Sequence, residues 1–85
     1  MPRQVTVLLF ATARLATGRG EVGWTVPPEG VTLRSLLVAL GERYPKLAPI
    51  LSSSRFVLNG RYVARPATRV HPGDEFAVHP PYGGG

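Results

Sequence analysis

The first apolar stretch, Gln4-Val5-Thr6-Val7-Leu8-Leu9-Phe10, is β-branched and alternates only in part, which predicts a strand. Its nearly continuous hydrophobicity places that strand at the centre of a sheet rather than at an edge. Thr12 to Gly20 contains small residues, two glycines and two arginines, and is expected to be a loop. Alternation resumes in Glu21-Val22-Gly23-Trp24-Thr25-Val26, with Val22, Trp24 and Val26 on one face, so the first two strands should form a hairpin-like pair. Pro27-Pro28-Glu29-Gly30 stops the second strand, because proline donates nothing to a ladder.

The period then changes. Thr32 is a good helix N-cap, and Leu33, Leu36, Leu37 and Leu40 follow at the spacing of one helical stripe. Pro45 disfavours helical geometry at the residue before it, so the helix should end near Tyr44. Lys46 to Leu51 can hold one further turn, and Ser52-Ser53-Ser54 is a break. Arg55 to Leu58 reads as a short strand, Asn59-Gly60 as a type I′ turn, and Arg61 to Val63 as the returning arm. Arg65 to Asp74 is expected to be a loop, and Glu75 to His79 a last strand that Pro80-Pro81 ends. The expected fold class is α+β, a mixed sheet with one main helix packed across one face. The first and last strands are the most apolar and belong side by side at its centre.

Composition narrows this picture. With 85 residues there is room for one small domain. No cysteine is present, which removes disulfides, thiolate metal sites and a cysteine nucleophile. His71 and His79 are far apart with no carboxylate at ligand spacing, so no metal site is expected. Glu29 and Glu42 are lone carboxylates, and no acid–base pair is visible. Trp24 belongs to packing. The run Val5 to Ala11 is far too short to cross a bilayer and lacks a cleavage site, so no membrane partner is expected and the expected location is the cytoplasm. The net charge of +5 comes with arginines scattered from Arg3 to Arg69, without a run or an RNA-binding motif. A solvated arginine-rich surface or an acidic protein partner fits that pattern better than nucleic acid.

Residues 1–79 form the expected domain, and residues 80–85 a flexible tail: Pro80, Pro81, Tyr82, Gly83, Gly84 and Gly85. On composition such an end reads either as a frayed terminus or as a handle. Two prolines stiffen its exit, and three residues without Cβ are thin enough to thread a narrow channel. A terminal glycine carboxylate is unhindered. It can attack the α-phosphate of ATP in a partner's site, giving an acyl-adenylate open to a sulfur or amine nucleophile.

Several pieces of the chain together resemble the MoaD/ThiS family of β-grasp, ubiquitin-like sulfur carriers, and within it the molybdopterin-synthase small subunits. They are Val5 to Phe10, Glu42-Arg43-Tyr44-Pro45, Val57-Leu58-Asn59-Gly60, Val70 with Gly73-Asp74-Glu75, and Pro80-Pro81 followed by Gly84-Gly85. The resemblance implies a protein that binds no cofactor itself and is a co-substrate more than a catalyst. Its Gly85 would be adenylated with ATP by an E1-like (MoeB-type) adenylyltransferase and take sulfur from a donor as a thiocarboxylate. A MoaE-type large subunit would then receive the tail. Phe10, Tyr62 and His79 match the family's partner-docking patch. His79 stands where the family usually has an apolar or aromatic residue, Tyr82 where it has a small aliphatic one, and Gly83 where Ala, Ser or Thr is common. Carriers for cysteine synthesis or tRNA thiolation, and protein modifiers linked to lysines, share the same tail. An RNA-binding β-grasp module is a further class, suggested by the arginines. Asp74-Glu75 is expected to serve its turn, or to offer an acidic spot beside the tail.

Overall fold

The computed structural model describes residues 3–81. Strands β1 (Gln4–Leu9), β2 (Glu21–Thr25), β4 (Arg55–Leu58), β5 (Arg61–Val63) and β7 (Glu75–His79) form one mixed sheet in the order β2-β1-β7-β4-β5. A two-stranded ladder joins β3 (Val31–Thr32) to β6 (Arg69–Val70). Helices α1 (Ala11–Thr17), α2 (Leu33–Arg43) and α3 (Ala48–Leu51) complete the elements. None is long and apolar enough to cross a membrane.

The first and last strands lie side by side and parallel at the centre, with Val7 opposite Phe76 and Leu9 opposite Val78. Alternation sends Val5, Val7, Leu9, Phe76 and Val78 to one face, where all are at most 1% exposed. Leu33, Leu36 and Leu40 of α2 meet them there, with Leu47 and Leu51 beneath. Trp24 sits opposite Val5 and packs against the same core.

The helix α2 begins and ends where its sequence dictates. Thr32 accepts the Ser35 N–H at 3.1 Å, and Tyr44 closes the last turn. Two more of the N–H groups left free at the start of a helix, those of Leu33 and Arg34, donate to the carbonyls of Thr68 and Pro66. This is why the segment after Arg65 is not loop throughout. Val70 is fully buried, and β6 forms because the chain must return across α2's N-terminus to seal it.

A second departure from expectation is α1, which occupies most of the expected loop Thr12 to Gly20. Apart from Thr12 and Thr17 it is built of alanines, Arg14 and Leu15, all good helix formers. The two glycines stand beyond its end, where Gly18 adopts φ 73° and donates its N–H to the Arg14 carbonyl. Ala13 is fully buried and anchors the helix. The β1–β2 pairing is antiparallel as expected, but α1 rather than a tight turn connects the two strands.

Asn59-Gly60 turns β4 into β5 with φ of 49° and 84°, the double positive φ of a type I′ turn. Asn59 also ties this hairpin to the start of β7. Its side-chain oxygen accepts the Glu75 N–H at 2.8 Å, and its amide donates to Asp74 at 3.0 Å. The other Asp74 oxygen accepts the His71 N–H at 2.8 Å. Replacing Asn59 with Ala removes both side-chain bonds and puts a Cβ-only residue at positive φ. The expected loss is about 2 kcal/mol, read as a lower denaturation midpoint with an unchanged slope.

Candidate docking face and carrier tail

Every buried helix side chain joins the single core on the inner face, so the outer face of the sheet is left to its own residues. The register lines up Leu8, Ala77, Val57 and Tyr62 across β1, β7, β4 and β5. Within this row Ala77 is buried by its neighbours, Leu8 and Val57 are half-buried and Tyr62 is exposed, so part of its apolar surface is still open to burial against a partner. Flanking positions on this face are polar: Thr6, Glu75 and Arg55.

Phe10 and His79 close one end of the face. Their rings stack with centroids 4.7 Å apart and planes 9° from parallel. Phe10 reaches this place because its N–H prolongs the ladder to Val78 and the chain then turns sharply at Ala11, which holds φ 49°. A non-glycine residue there costs about 1–2 kcal/mol. Phe10 is also the N-cap of α1 yet makes no side-chain cap bond, so a better local choice has been forgone. Phe10 is 43% exposed and Tyr62 is 73% exposed. The chain leaves the sheet directly after His79, through half-buried Pro80 and exposed Pro81. The root of the tail therefore adjoins the stacked pair.

Among the residues named from the sequence, Phe10 and His79 are brought into contact. Tyr62 shares their face but stands beyond Ala77 and Val57, making one surface rather than one cluster. Tyr82, Gly83, Gly84 and Gly85 lie outside the described residues. Asp74 and Glu75 serve the turn, as expected, and offer no acidic spot at the root of the tail: Asp74 precedes β7 with both carboxylate oxygens engaged in turn bonds, Glu75 opens the strand, and Pro80 follows its far end. Leu8, Val57 and Ala77 were not singled out in the sequence. The one available signal was Leu8, the apolar residue that breaks alternation in β1. Among the described residues, no group of three or more His, Asp or Glu side chains is placed to hold a metal.

Comparison with known proteins follows the same lines. No curated protein matches the sequence. A Pyrococcus furiosus protein assigned as molybdopterin converting factor, subunit 1, is 28% identical with a TM-score of 0.81, covering 93% of this chain and 98% of that one. Small archaeal modifier protein 1 of Haloferax volcanii is 26% identical with a TM-score of 0.81, covering 96% and 99%. A complex of subunits 1 and 2 of the molybdopterin-converting factor from Helicobacter pylori is similar in fold, at 20% identity and a TM-score of 0.67, covering 96% and 99%. The sequence model of the ThiS family matches residues 7–85, nearly the whole chain. With its mixed sheet, packed helix and open apolar face, the chain belongs to the ThiS family and has the β-grasp, ubiquitin-like fold of its sulfur carriers.

Proposed function

We propose that this protein carries sulfur on its C-terminus for molybdopterin biosynthesis, as the small subunit of a molybdopterin synthase. The observation that carries the reading is that the family match runs through the Gly-Gly end to Gly85. A carboxylate oxygen of Gly85 attacks the α-phosphorus of ATP in an E1-like (MoeB-type) enzyme, and pyrophosphate leaves. A sulfur nucleophile from a donor then attacks the acyl carbon, and AMP leaves. Where the donor is a persulfide, that attack leaves an acyl disulfide; a second thiol of the donor attacks the donor's own sulfur in it, forming a donor disulfide and releasing Gly85 as the thiocarboxylate. The domain contributes recognition through Phe10, His79 and Tyr62, while Gly83 and Gly84 give clearance for a MoaE-type subunit to take the tail. The Helicobacter complex is a precedent for such a pairing at the level of fold.

Incubating the full chain with ATP, a MoeB-type enzyme and a sulfur donor should raise its intact mass by about 16 Da, one oxygen replaced by sulfur. An unchanged mass, or a gain that fragmentation places away from the C-terminal residue, overturns the proposal.

A second reading is supported by the likeness to small archaeal modifier protein 1: the same adenylate accepts a lysine amine, giving an isopeptide-linked modifier. That reading expects high-mass adducts in cells that vanish when Gly85 is deleted. Lys46, the chain's one lysine and an exposed one, would be the side chain available for self-linkage.

A further inference from the structure

A second concave surface lies on the helix side of the β4–β5 hairpin. It is a groove of about 700 Å³, with Leu37, Val38, Phe56 and Val63 in its lining and Arg34 and Arg55 beside them. No acidic residue lines it. Val38 is 55% exposed in the middle of α2, where a helix turned to solvent ordinarily carries a polar residue. One wall is β5, the edge of the sheet, which pairs only with β4 among the described residues. An unpaired edge offers backbone donors and acceptors to an added strand.

Arg34 supplies an independent reason to expect negative charge. It stands in the first turn of α2, which holds no acidic residue, and a cation there opposes the helix dipole. The helix gains nothing from it, whereas an anion entering the groove would. Glu42 lines the neighbouring hollow that shares Leu37 and Val38, so a ligand's acidic residues are favoured at the Arg34 end alone.

We propose that this groove docks an extended segment of a partner protein in which aliphatic and acidic residues alternate, laid along the edge of β5. Its backbone pairs with β5, its aliphatic side chains cover Val38 and Val63, and its carboxylates meet Arg34, with Arg55 at the rim that the groove shares with the outer face. Tyr62 borders both this groove and the open sheet face, so one partner can grip both sides of the hairpin. The inference stands apart from the chemistry of the tail.

Selection of short random peptides on the immobilised full chain, followed by titration of the winner into isotope-labelled protein, tests it. The expected winners alternate acidic and aliphatic residues and shift the resonances of Val38, Tyr62 and Val63. Joint Arg34→Glu and Arg55→Glu substitution, at exposed positions and with an otherwise unchanged spectrum, should weaken the winner at least about tenfold. Winners without acids, contacts confined to Leu8 and Ala77, indifference to the charge reversal, or no winner at all each overturn the proposal. So do a dimer in sedimentation that Val38→Asp dissolves, which gives the groove to a second copy, and groove resonances that move when residues 82–85 are removed, which gives it to the tail.

Discussion

Removal of Gly85 is expected to abolish thiocarboxylate formation. The truncated chain still ends in Gly83-Gly84, so the terminal carboxylate keeps its chemical identity and only its position changes. One residue of extended chain is about 3.5 Å, and misplacement of a reacting atom by about 1 Å can cost a hundredfold. With the domain docked, the acyl oxygen would stop short of the phosphorus it must attack, and the rate should fall below about one per cent of that of the full chain. Intact-mass measurement after incubation with ATP, activating enzyme and sulfur donor gives the answer. A truncated chain that still gains sulfur would show that reach is not what the tail provides.

Phe10→Asp should separate recognition from folding. Phe10 makes no cap bond and is 43% exposed, so its loss removes little besides the stack on His79, about 1 kcal/mol or less. Aspartate is also a favoured N-cap for α1. The melting temperature should therefore move by only a few degrees in either direction. Partner binding should suffer far more, because an aromatic anchor beside the root of the tail is replaced by a charge that must be buried unpaired on docking. A rise of about a hundredfold in the KM for the activating enzyme, with near-wild-type stability, is the expected pattern. Equal loss in both measurements would make Phe10 a structural residue, and unchanged KM would remove the stacked pair from the docking face.

The parts of the fold that were legible in the sequence are those where one periodicity holds for long enough. The stripe from Leu33 to Leu40 between a Thr32 cap and Pro45 located α2, and Asn59-Gly60 located the hairpin, because each has a local physical cause. Helix α1 was not legible because it has no stripe: a single buried residue, Ala13, anchors seven. Strand β6 consists of two residues, and it exists because Thr68 and Pro66 cap a distant helix, a tertiary cause that no local pattern records. The candidate site divides in the same way. Phe10 and His79 were each readable from the family pattern, but their stacking joins residues from opposite ends of the chain. Leu8, Val57 and Ala77 become a surface only when three registers align them.

The central place of β7 bears on which molecules can be used at all. Without residues 75–79 the sheet falls into two separate antiparallel pairs, β1–β2 and β4–β5, and an isolated two-stranded pair is marginal in water. Assembly must close a loop spanning most of the chain before β1 and β7 can pair, an entropically late event that delays the nucleus. An unfolded copy carries the same glycines as a folded one but has no Phe10–His79 stack and no aligned row for an enzyme to grip. Under the proposed function, discrimination between finished and unfinished molecules would require no separate surveillance, because the strand whose insertion completes the sheet is also the one that Pro80 and Pro81 follow.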